Sequence, residues 1–133
     1  KLLARGALDA LAMAAKAGQV TAGFTKVESA LQSRQAVALL HASDGAADGI
    51  RKLDGLARQK AGDGDGSAQI PVITALTSAQ LDLALGRSNV IHAALLPGPA
   101  GKTVLSRCHI LVRYRMSDSD KADTGTIAIN DQI

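Results

Sequence analysis

The stretch Ala15 to Leu31, AKAGQVTAGFTKVESAL, decides how the chain is read. Gly18 and Gly23 lie five residues apart. Upstream, Leu3, Ala7 and Leu11, flanked by Ala4, Leu8 and Ala15, recur at helical spacing, so Leu2 to Lys16 is predicted as an amphipathic helix. Gly18 is a natural helix stop. Val20-Thr21 is a short extended piece. Phe24, Val27, Ala30 and Leu31 then resume the helical period, predicting a second helix over Gly23 to Gln32.

The second glycine has chemical consequences. The first backbone N–H groups of a helix have no intrahelical partner. The helix dipole places a partial positive charge there, and such an end accepts a phosphate oxygen. Lys26 in the first turn opposes the dipole, where an acid is preferred. It marks either an anionic partner or a tolerated surface lysine. The run GQVTAG has neither the spacing of a dinucleotide loop nor the Gly-Lys-Ser/Thr ending of a phosphate loop.

Outward from this point the pattern alternates. Ala36 to Leu40 is a continuous apolar run, expected of a strand buried on both faces. Ser43-Asp44 reads as an N-cap for a third helix carried by Ala46, Ile50, Leu53 and Ala57. Ala61 to Ala68, AGDGDGSA, reads as a polar loop. Its DGDGS core is a weak match to a calcium loop and lacks the later bidentate Glu. Ile70 to Ala75 is a second apolar strand, with Pro71 pointing to an edge or a strand start. Thr77-Ser78 caps a fourth helix with Leu81, Ala84 and Leu85 inward, and Gly86 ends it. Val90 to Leu96 is a third apolar strand. Thr103 to Met116 fits a helical face through Val104, Cys108, Leu111 and Val112 better than the strand alternation of Ile110, Val112 and Tyr114. Beyond Ser117 the chain reads as loop, with TIAI at 126–129 as a candidate edge strand.

The chain has 133 residues, enough for one domain. It contains one Phe, one Tyr and no Trp, so Ala, Leu, Val and Ile must fill the core. Formal net charge is +3, which permits a polyanionic partner without requiring one. Lys102, Arg107, Arg113 and Arg115 share a segment free of acids, and an Asp-rich tail follows it. One cysteine, Cys108, excludes an intrachain disulfide and a cysteine-based zinc site, and fits a reducing, cytoplasmic setting. No apolar run reaches the length of a membrane span. His41, His92 and His109 are scattered and read as structural. No carboxylate pair is placed for acid–base work. The start within a helical pattern, without Met, points to a piece of a longer protein.

Three stretches together resemble the kink-turn RNA-binding ribosomal-protein superfamily, the L-seven-Ae and L-thirty-e-like fold. AMAAKAGQVTAGFTKVESAL at 12–31 is similar to its opening. AVALLHASDGA at 36–46 is similar to its strand and Ala-x-Asp helix start. IPVITALTSAQLDLALGRSNVIHAAL at 70–95 is similar to its Val-Pro strand, its helix with a hydrophobic-Gly-Arg turn, and a final strand. The match spans roughly residues 3–97. It implies an α/β fold: a three-layer α/β/α sandwich around a small mixed four-stranded sheet. The fold domain is placed at residues 1–116, with residues 117–133 as an acidic C-terminal tail.

The resemblance also implies a non-catalytic RNA-binding face made of two loops. One holds Gly23, Phe24, Thr25 and Lys26. The other holds Arg87, Ser88, Asn89 and Val90. Phe24 is either an exposed stacking platform for bases or a buried core staple. Strict kink-turn binders carry Asn-Glu where this chain has Thr25-Lys26, and a Lys where it has Ser29. A different structured RNA is implied, with ribosomal RNA a candidate, and no small-molecule cofactor, metal or membrane. Some bacterial proteins carry a YlxR-type nucleic-acid-binding module ahead of such a domain. Two alternatives stand beside this reading: the recognition domain of an RNA-modifying enzyme, and a protein-interaction module that has lost RNA binding.

Overall fold

A computed structural model describes residues 2–61 and 70–122. The first helix, α1, spans Leu2–Lys16, and Gly18 ends it with φ +75°. Strand β1 is Val20–Ala22, and α2 is Phe24–Gln32 with Gly23 as its N-cap. Strand β2 is Ala38–His41, α3 is Ala47–Ala61, β3 is Val72–Ile73 and α4 is Ser78–Leu85. Strand β4, His92–Leu95, leads to α5, Pro99–Ala122. Pro99 at the first helical position suits its fixed φ and missing N–H.

The strands form one sheet in the order β1-β4-β2-β3. β2 and β3 are parallel, and β4 runs antiparallel to β1 and β2. This is the expected mixed four-stranded sheet within an α/β/α sandwich. The alternation of a strand sorts the core into two layers. Ala38, Leu40, Ile73, Ala93 and Leu95 face one way. They meet Ala7, Leu11 and Ala14 of α1, Leu81 of α4, and Val104, Cys108 and Leu111 of α5. Leu39 and Ala94 face the other way, onto Val27, Ala30 and Leu31 of α2 and Leu53 of α3. Alanines on both sides of these contacts let helices lie close to the sheet without aromatic filler. Cys108 is part of this interior, and desolvation pushes its thiol up to about 11, which leaves it unreactive.

Several boundaries differ from the sequence reading. The strand read at Ala36 to Leu40 pairs over Ala38–His41, which puts His41 inside the strand rather than after it. The strand read at Ile70 to Ala75 keeps only Val72–Ile73. It lies at the sheet edge, where Pro71 contributes a carbonyl that accepts from Leu39 N–H at 2.9 Å and needs no donor. The strand read at Val90 to Leu96 pairs over His92–Leu95. Asp44 does not cap α3. Its carboxylate accepts from Ser78 N–H and from the Ser78 hydroxyl, both at 2.9 Å, and so ties the β2–α3 turn to α4. The helical reading of 103–116 holds, within a longer helix. α5 continues through Ala122, which corrects the loop reading over 117–122. Helicity persists there because the stretch SDSDKA contains neither Gly nor Pro. Ala61 is the last residue of α3; the rest of the AGDGDGSA loop and the TIAI stretch lie outside the described residues. Among the described residues no helix is long and apolar enough to cross a membrane.

Candidate nucleic-acid interface

The antiparallel register of β1 on β4 pairs Ala22 with Ala93, and Gly23 N–H continues the ladder by donating to His92 O at 2.9 Å. The start of α2 is thereby placed over the N-terminal end of β4. Gly23 has φ +100° and ψ 148°, a region open in practice to glycine alone. It contributes no side-chain cap. The N–H groups of the following turn therefore lack both an intrahelical partner and a cap from residue 23. A Cβ at Gly23 would meet nothing within 4 Å, so this backbone faces open space.

The second loop follows α4. Gly86 closes that helix in the left-handed conformation, with φ 64° and ψ 34°. Asp82, one turn back, holds the loop from beneath. Its carboxylate accepts from Asn89 N–H at 2.9 Å and Val90 N–H at 2.6 Å. Asn89 takes φ 62°, a conformation that Asn tolerates better than most residues.

The two loops share one cleft of about 440 Å³, lined by Gly23, Phe24, Asn89, Ile91 and His92, and by Asp44, Gly45, Ala46 and Gly49 of the β2–α3 turn and α3. Of the residues expected at the interface, Gly23, Phe24 and Asn89 line it together. Thr25, Lys26, Arg87 and Ser88 are exposed but do not line it. Val90 departs from the expectation: it is 4% exposed and packs in the core with β4 and α1, so its side chain supports the loop from within. Phe24 falls between its two readings. It is half-buried against the α2–α3 core, and its ring meets His92 edge-on with centroids 5.8 Å apart. One part of it anchors the helix, and another forms a wall of the cleft.

The sequence reading missed what lies under that wall. His41 and His92 are cross-strand partners in the β2–β4 register. Both point to the α2–α3 side, two residues on from Leu39 and two before Ala94 respectively. They are 1% and 7% exposed, and their Nδ1 atoms are 2.9 Å apart. His41 Nε2 lies 2.8 Å from Asp54 Oδ1 of α3. Burial lowers the His92 pKa, and the neighbouring His41 adds to this while Asp54 opposes it. Asp44, at the mouth, is held below the usual carboxylate range by the Ser78 N–H and hydroxyl. A signal for the histidine pair existed: each histidine adjoins an apolar run. Only the register joins them, and they are 51 residues apart.

No protein-family model matches the sequence, and a comparison with curated proteins finds no match. Solved structures do match. A protein of unknown function from Bacillus halodurans superposes with a TM-score of 0.63 at 24% identity, over 77% of this chain and 95% of its own. The 15.5-kDa RNA-binding protein of Giardia lamblia superposes with a TM-score of 0.59 at 18% identity, over 81% of this chain and 86% of its own. At these identities the likeness is one of fold, and it supports an L-seven-Ae-like fold for this chain.

Proposed function

We propose that this chain is a non-catalytic RNA-binding module of the L-seven-Ae and L-thirty-e-like, YlxR-associated type, acting in the bacterial cytoplasm on structured RNA, with ribosomal RNA the first candidate. The observation that carries the reading is the convergence of the Gly23 and Asn89 loops on one cleft beside the uncapped start of α2. Bare N–H groups there suit a phosphate oxygen, and the exposed Lys26 and Arg87 stand ready for neighbouring phosphates. The Phe24 wall offers an apolar surface to an unstacked base. The Giardia protein of similar fold is named for RNA binding, which supports the same reading here.

Binding to structured RNA is measured across a salt series for the unaltered chain and for the double variant Lys26→Glu, Arg87→Glu. Affinity should fall linearly with the logarithm of salt, because phosphate contacts release counterions. The double variant should bind at least about tenfold more weakly and show a salt slope smaller by about two. Unchanged affinity and slope in the variant would show that the two loops do not form the interface.

A further inference from the structure

The floor of the cleft has a definite hydrogen-bonding sense, which follows from counting protons along the Asp54–His41–His92 chain. A carboxylate only accepts. The 2.8 Å contact to Asp54 Oδ1 therefore takes its proton from His41 Nε2. A neutral imidazole donates from one nitrogen and accepts at the other, so His41 Nδ1 is an acceptor. The proton in the 2.9 Å contact between the rings then belongs to His92 Nδ1. His92 Nε2 is left with a bare lone pair. It has no hydrogen-bond partner among the described residues, although His92 is only 7% exposed. It borders Gly49, where an added Cβ would come within 2.8 Å of it, and both residues line the cleft. A side chain at 49 would cover this nitrogen.

We propose that the Asp54–His41–His92 chain makes the floor of the cleft a hydrogen-bond acceptor, and so selects an extruded base that offers an amino N–H there over one that offers a carbonyl or no polar group. The inference rests on the RNA reading of the cleft and specifies which base edge it takes. An amino group satisfies the lone pair on the cleft floor. A carbonyl is repelled by it, and a base without the amine strips water from it and returns nothing. His92 is the specificity-determining residue, and His41 and Asp54 are positioning residues that set its tautomer.

The same count gives a pH dependence. Only one proton fits between two Nδ1 atoms 2.9 Å apart. A proton taken up by the pair therefore ends on His92 Nε2, whichever ring carries the charge, and the floor becomes a donor. The groups facing the pair are His41 from β2, Asp54 from α3 and Asp44 from the β2–α3 turn; α2 contributes the uncharged Phe24. Burial disfavours the charged form of His92, which favours the acceptor state of the floor over the donor state.

The test uses the full chain and hairpin RNAs of one stem with a single bulged nucleotide: adenosine, purine riboside (adenosine without its amine), cytidine or uridine. At about pH 7.5, adenosine should bind more tightly than purine riboside, and cytidine more tightly than uridine, by about fivefold or more. At about pH 5 both preferences should shrink or invert, since an added proton reverses the floor. Asp54→Asn, whose amide donates as readily as it accepts, should narrow the preferences at neutral pH. His92→Phe should erase them. Long-range ¹H–¹⁵N correlation on the unaltered chain gives a readout independent of any variant, and His92 Nε2 should report as the unprotonated nitrogen. A protonated His92 Nε2 at neutral pH would overturn the inference. So would equal affinity for all four RNAs while Lys26→Glu, Arg87→Glu still weakens binding, and that result would leave the RNA reading standing. Failure of the unaltered chain to bind any of the hairpins would overturn both.

Discussion

The starts of α2 and α4 are built from the same backbone chemistry and treated in opposite ways. At α4 three donors are answered by side chains. Thr77 accepts from Gln80 N–H at 3.1 Å, Gln80 returns the bond to Thr77 N–H at 2.9 Å, and Asp44 takes the N–H of Ser78. At α2 the cap is a glycine with no side chain to give, and the first turn carries a lysine instead of an acid. The closed end fixes the chain where it turns back toward the sheet. The open end leaves donors and partial positive charge at the edge of a cleft. The difference shows where satisfaction of the backbone was set aside, and that place coincides with the loop already singled out by its glycine.

The comparison can be broken most severely at the far end of α4. Asp82→Ala removes the acceptor of two backbone N–H groups, at Asn89 and Val90. Urea denaturation should show a loss of about 2–3 kcal/mol, since hydrogen bonds to charged groups rank among the stronger ones. A loss below about 0.5 kcal/mol would mean that water replaces the carboxylate at no cost.

Gly23→Ala probes the open end. Nothing obstructs a methyl group there, so the cost is backbone strain alone, about 1–3 kcal/mol at φ +100°. A neutral result in thermal unfolding would mean that residue 23 leaves this conformation at little cost. Thr77→Ala should cost about 1 kcal/mol, the usual value of an N-cap, with Asp44 limiting the damage.

The smallest effect is the most discriminating. Lys26→Glu places an acid in the first turn of α2 and should stabilise the fold by about 0.3–1 kcal/mol. The same substitution should weaken RNA binding. Opposite signs in unfolding and in binding would separate a residue kept for a ligand from one kept for the helix. A lysine whose replacement improves both would belong to neither.

Much of the architecture was legible because its signals are local. The recurrence of Leu3, Ala7 and Leu11, the caps at Thr77 and Gly86, and the apolar runs at 36–40 and 90–96 each depend on residues a turn or two apart. Gly23 stood out for the same reason, since its neighbours on both sides already demanded helices. Less was legible where a short element borrows its pairing. β3 shrank to Val72–Ile73 because an edge strand beside Pro71 is set by what β2 offers it. The role of Asp44 was misassigned because its partner, Ser78, is 34 residues away. Val90 was placed on the surface by its loop and in the core by its neighbours.

By itself the sequence determined the order of helices and strands, the small-residue core and the helix that opens on Gly23, because helical and strand periods and caps act over a few residues. Tertiary structure alone decided that the Gly23 and Asn89 loops share a cleft, and that His41 meets His92 above Asp54. The physical reason is register: a slip of one residue between β2 and β4 would turn either histidine to the opposite face of the sheet.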